Sequence, residues 1–139
     1  MASDHQAADT SPSRAVAPPL VDIADDTFLR VPPPIVARLV ADSGWWIRWW
    51  PDLVPHTTRD RGLKGQQWTV TGALRGSMEV WLEPVAGGTV VHWYLRADPA
   101  RPRVARSRRR CRRERERRVR GWKSQMYALK DRLERADST

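Results

Sequence analysis

The hydrophobic pattern of this chain changes period once. From Gln66 to Asp98 apolar residues fall on every second position, whereas Val119, Trp122, Met126, Leu129, Leu133 and Ala136 recur at spacings of three and four. A period of two gives strands with one buried face, and a period near 3.6 gives a helix with one apolar stripe. Strands grouped together and followed by one long helix predict an α+β architecture, not an alternating α/β one. Fully buried, the stripe is worth on the order of 10 kcal/mol as an upper bound. Barely more than two heptads long, it is expected to pack on the sheet of its own chain.

Within the period-two region Trp68, Val70, Gly72 and Leu74 share one side of a strand, and Arg75-Gly76 is expected to turn the chain. Ser77 to Val85 returns, and Gly87-Gly88 is a hairpin signal. If residues 86 and 89 face each other, Leu82 meets Trp93 and Val80 meets Leu95, while Trp81 meets Tyr94 and Glu83 meets His92 on the other face. Val80, Leu82, Val91, Trp93 and Leu95 form the expected inward face.

The 139 residues suffice for one core. Residues 1–20 are polar and carry Pro12, Pro18 and Pro19, so a disordered tail is expected there and a single domain over 21–139. Asp22 to Val31 reads as a first strand, stopped by Pro32-Pro33-Pro34, which also opens a helix carrying Val36, Leu39 and Val40 on one face. Gly44 is expected to close that helix at C′. Trp45, Trp46, Trp49 and Trp50 then lie at i,i+4 spacings on a short helical turn ended by Pro51, and Leu53 to Asp60 is a weak strand.

Charge is segregated. The chain carries +9 overall, but residues 101–120 hold 12 Arg against two Glu, a local +10. This segment is expected to form the Arg-rich start of the C-terminal helix. Glu114 with Arg118 and Glu116 with Arg120 are favourable i,i+4 pairs. The remaining positive charge, centred on Arg108, Arg109, Arg110, Arg112 and Arg113, makes an anion-binding stretch suited to nucleic acid or an anionic membrane surface.

One cysteine excludes an internal disulfide framework, and three scattered histidines with it do not make a zinc site. No phosphate loop, nucleophile elbow or paired carboxylates appear, so no cofactor, metal or catalytic residue is assigned. Cys111, flanked by arginines, is a reactive thiol only if exposed. The N-terminus lacks the pattern of a secretory signal and no apolar stretch is long enough to span a bilayer. A cytoplasmic protein, or one peripheral to a membrane, is expected.

The order of strand, short helices, antiparallel meander and long helix describes a helix-grip. Thr27-Phe28-Leu29 leading into Pro32-Pro33-Pro34, then Ala41-Asp42, Trp46-x-x-Trp49-Trp50-Pro51, Gly88-Thr89-Val90-Val91, and Gly121-Trp122-Lys123 through Leu133 resemble START-like (SRPBCC) proteins of the polyketide cyclase/dehydrase type. The resemblance implies a curved antiparallel sheet of about five to six strands wrapped on the C-terminal helix, with an apolar small molecule, a lipid or aromatic polyketide, held between them. Some members of that family cyclise or dehydrate polyketides, which keeps an enzymatic reading open beside simple carriage. Bulky side chains suit such a ligand: Trp68, Val70, Val80, Leu82, Trp93, Leu95, Trp122 and Met126 are the candidate lining, and Trp46, Trp49 and Trp50 the candidate mouth. The same residues also suit a filled core.

Overall fold

A computed structural model describes residues 17–137. Five strands, β1 (Val21–Leu29), β2 (Leu53–Asp60), β3 (Gly65–Gly72), β4 (Leu74–Val85) and β5 (Gly88–Pro99), form one antiparallel sheet in the order β1-β5-β4-β3-β2. Two short helices, α1 (Pro33–Val40) and α2 (Ser43–Trp49), separate β1 from β2. A further short helix, α3 (Pro102–Ala105), leads from β5 into the 30-residue helix α4 (Arg108–Asp137). The result is an open α+β helix-grip with short helices after the first strand, as the sequence predicts. Residues 1–16, within the expected tail, lie outside the described residues.

Local chemistry explains the boundaries. Pro33 and Pro34 occupy the first turn of α1, where a missing N–H costs nothing. Asp42 caps α2 by accepting from the Gly44 amide at 2.9 Å. Gly44 therefore opens the second helix, and the expectation that it closes the first is corrected: α1 ends with Ala41 as its cap. Ser107 caps α4, its Oγ accepting from the Arg110 amide at 3.2 Å.

Two turns also differ from expectation. The β4–β5 hairpin pairs Val85 with Gly88, so Ala86 and Gly87 form the turn, and only Gly87 there has positive φ, at 84°. Gly88 is in the ladder: a Cβ on it would stand 2.1 Å from the Leu29 carbonyl oxygen, so its smallness serves the approach of β1. The register consequently moves by two residues, pairing Val80 with Trp93, Leu82 with Val91 and Trp81 with His92. A shift of two preserves the faces, and Val80, Leu82, Val91, Trp93 and Leu95 are all buried. Likewise the β3–β4 turn falls at Gly72-Ala73, while Gly76 sits inside β4 opposite Ala97. A Cβ at Gly76 would lie 2.1 Å from the Arg96 carbonyl oxygen.

Candidate functional site

The concave face of the sheet and the stripe of α4 meet in a seam of indoles. Trp45, Trp46, Trp50, Trp68, Trp93 and Trp122 are buried in the core, with Trp49 half-buried against them. Trp122 stacks on Trp93 at 4.6 Å between centroids and 12° between planes, and on Trp46 at 6.2 Å and 14°. Trp46 also meets Trp68 edge-on at 5.0 Å, so α2, the sheet and α4 are joined through aromatic rings. Offset and edge contacts of this kind add to the stabilisation from burial itself.

All eight candidate lining residues face this seam and are buried. The hollow expected between sheet and helix is filled by them and by α2. A void of about 10 Å³ remains, bounded by Trp46, Trp50, Leu53, Pro55, Val70 and Met78, room for about one water. Of the three candidate mouth residues Trp46 and Trp50 are buried and Trp49 is half-buried, and Ile47 is the exposed apolar residue of α2.

Hydrogen bonding within the seam is uneven. Trp46 Nε1 donates to the Val40 carbonyl at 2.8 Å, and Trp122 Nε1 to Asp25 Oδ2 at 2.9 Å. Lys123 Nζ also pairs with Asp25, at 2.9 Å. Trp49 Nε1 and Trp93 Nε1, by contrast, are buried with no acceptor among the described residues. An unpaired buried donor costs about 1–3 kcal/mol, so two of them in one aromatic cluster are the seam's main polar anomaly.

At one end of the seam lies an ionic cluster. Arg118 is fully buried. It donates to Asp52 through Nη1 at 3.0 Å and Nη2 at 2.7 Å, and to Glu114 through Nε at 2.8 Å. Its guanidinium also lies 5.3 Å from the centroid of Trp50, whose ring it covers. Burial acts to raise the Asp52 pKa, but the hydrogen bonds and charges of Arg118 and Arg117 outweigh it and hold the carboxyl below its usual value. This pairing ties α4 to the chain entering β2. The sequence gives Arg118 its i,i+4 partner Glu114 but not its burial, and one further signal marks it out: its position on the stripe, four residues before Trp122.

The other named residues stand apart from the seam. Arg108, Arg109, Arg110, Arg112 and Arg113 are exposed on α4. Cys111 is buried, its thiol donating to the Val104 carbonyl at 3.3 Å. His56 and His92 are on the outer face of the sheet. His92 Nδ1 meets Asp26 at 2.6 Å and Nε2 meets Glu83 at 2.9 Å, and its ring stacks on Trp81 at 4.5 Å. Burial lowers the His92 pKa, but the hydrogen bonds and charges of Glu83 and Asp26 prevail and raise it. A raised native pKa stabilises fully below the unfolded value near 6.5 and loses that contribution as pH rises through the native value. The difference in melting temperature between wild type and His92→Gln is therefore expected to be largest below pH 6 and to shrink as the pH rises past neutrality. A difference that grew with pH would contradict the assignment. The outer face also carries an open recess of about 800 Å³ flanked by Trp81, Tyr94, Gln67, Glu79, Arg61 and Arg96.

Among the described residues no cluster of three or more His, Cys, Asp or Glu could hold a metal, and no helix is long and apolar enough to cross a membrane. No family model and no curated protein matches the chain. Among solved structures, the Aha1 dimer from Colwellia psychrerythraea is similar with TM-score 0.53 and 16% identity, over 81% of this chain and 96% of that one. DR_A0006 from Deinococcus radiodurans has TM-score 0.49 and 16% identity over 68% and 97%. At this identity the likeness to the Aha1 structure is one of fold, and the fold shared is the helix-grip: an unclosed antiparallel sheet holding a long C-terminal helix.

Proposed function

We propose that this chain is a binding domain, without turnover, for a flat apolar small molecule that carries a hydrogen-bond acceptor. The guest, an aromatic polyketide-like compound, lies in the indole seam. The observation that supports this is the pair of buried donors, Trp49 Nε1 and Trp93 Nε1, with no acceptor among the described residues. A guest carbonyl supplies the acceptor that either N–H lacks, while the remainder of the guest exchanges water for Trp68, Val70, Val80, Leu82, Leu95, Trp122 and Met126. With a void of about 10 Å³, the seam is closed to such a guest, so binding requires α2 to swing outward. This helix is suited to that role: it has seven residues, and Trp45, Trp46 and Trp49, with Trp50 at its cap, provide one whole wall of the seam. Neither His56 nor His92 faces the seam, so carriage is favoured over cyclisation or dehydration.

The test compares 9-fluorenone with fluorene, which has the same ring system without the carbonyl. Fluorenone is expected to raise the melting temperature and to bind about tenfold more tightly, the worth of one hydrogen bond to a buried donor. Equal affinities would remove the donors from the reading, and no thermal shift with either compound would remove the seam as a site.

A further inference from the structure

The arginines of α3 and the first half of α4 are the largest charged surface that the seam does not use. Arg117 and Arg118 are engaged with Asp52 and Glu114, and Arg115 Nε donates to the Asp22 carbonyl at 3.2 Å. The other nine of the segment, Arg101, Arg103, Arg106, Arg108, Arg109, Arg110, Arg112, Arg113 and Arg120, are exposed. None of these nine has an ion pair among the described residues. Their placement is unfavourable within the isolated fold. The first turn of α4 contains no acidic residue, so Arg108, Arg109 and Arg110 add to the positive end of the helix dipole. Arg108 with Arg112 and Arg109 with Arg113 are like charges at i,i+4. An external polyanion relieves all of these repulsions at once.

We propose that this arginine face binds the phosphate backbone of duplex nucleic acid without reading its sequence. Helical periodicity places Arg109, Arg113 and Arg120 opposite the buried Cys111, Arg118 and Trp122, with Arg112 beside them, so they form a stripe directed away from the sheet. Residues 109–120 extend roughly 17 Å along the helix, a length over which a duplex presents about ten phosphates. Two observations choose among anionic partners. No aromatic residue occurs in 101–120, so the face has no platform for the unpaired bases of a single strand. None of the exposed large apolar side chains falls in that segment either, leaving nothing to insert below lipid headgroups.

A fluorescein-labelled 20-bp DNA duplex of arbitrary sequence, titrated from 50 to 200 mM NaCl, provides the test. Neutralising five or six phosphates gives an affinity that falls on the order of a thousandfold across this range. The variant R109Q/R112Q/R113Q/R120Q is expected to lower the slope of log affinity against log salt by about three to four, and to melt no lower than wild type because repulsion is relieved. The variant R38Q/R48Q/R59Q/R75Q removes the same charge from exposed positions elsewhere and is expected to leave the slope unchanged. Equal losses in both variants would show a net-charge effect and overturn the site. Tighter binding of a single strand would overturn the duplex assignment. So would capture of phosphatidylcholine/phosphatidylserine vesicles, sensitive to the same four arginines, without capture of the duplex.

Discussion

Replacing Arg118 by Ala is expected to destabilise the domain by about 2–4 kcal/mol, one of the two largest effects foreseen for a single substitution. The guanidinium is fully buried and makes two hydrogen bonds to Asp52 and one to Glu114. Its removal leaves two carboxylates facing a cavity and uncovers one face of Trp50. The side chains of Asp52 and Glu114 are 38% and 16% exposed, so water can partly solvate them. This places the estimate at the low end of what breaking a buried pair costs, about 3 kcal/mol. Arg118→Met retains packing over Trp50 and is expected to cost less than Arg118→Ala. Urea denaturation measures both. A loss below about 0.5 kcal/mol for the alanine variant, the level of an ordinary surface change, would show that the cluster does not anchor α4.

Trp122→Ala is expected to cost about 3–5 kcal/mol. Trp122 lies between Trp93 and Trp46 in the stack and donates to Asp25, so truncation removes the contact through which α4 holds both the sheet and α2. The vacated space is enclosed and, apart from Asp25 Oδ2, apolar, the kind of cavity that takes up small aromatic molecules, and an indole N–H can restore the donor to Asp25. Added indole is therefore expected to raise the melting temperature of the variant more than that of wild type. A loss below 1 kcal/mol, or no difference in the response to indole, would mean that the seam is looser than its stacking distances indicate.

The architecture was legible because the two periods are clean. Alternation marks the inward faces of β4 and β5, and the stripe from Val119 to Leu133 marks the packed face of α4. Glycines misled wherever one residue type serves two purposes. Gly76 and Gly88 read as turn formers, yet each lies in a strand because a neighbouring backbone passes where a Cβ would be. The positive-φ glycines at these two turns are Gly72, four residues before Gly76, and Gly87, next to Gly88. A hairpin dipeptide fixes a turn only to within a residue or two, so the cross-strand partners moved while the faces did not.

The seam itself was partly legible. Alternation and the helix stripe mark Trp68, Val70, Val80, Leu82, Trp93, Leu95, Trp122 and Met126 as inward, and all are buried, but neither period shows how much space they leave, since residual volume is a small difference between the bend of the sheet and the bulk of seven indoles. Nor does periodicity show which indole N–H lacks an acceptor: Trp46 and Trp122 find theirs in Val40 and Asp25, distant in the chain or on another element. Arg118 was hidden for a different reason. A charged residue on an apolar stripe reads as a surface residue unless its buried partner is known, and Asp52 lies 66 positions away.

The eight tryptophans of the chain give one direct view of the central claim, that a guest's acceptor reaches an unpaired donor of the seam. In a ¹H–¹⁵N spectrum of the indole groups, adding 9-fluorenone is expected to move the Trp49 or the Trp93 resonance downfield as its N–H gains an acceptor, and to leave Trp81 on the outer face unmoved. An unchanged spectrum at saturating fluorenone, or a response confined to Trp81, would contradict it.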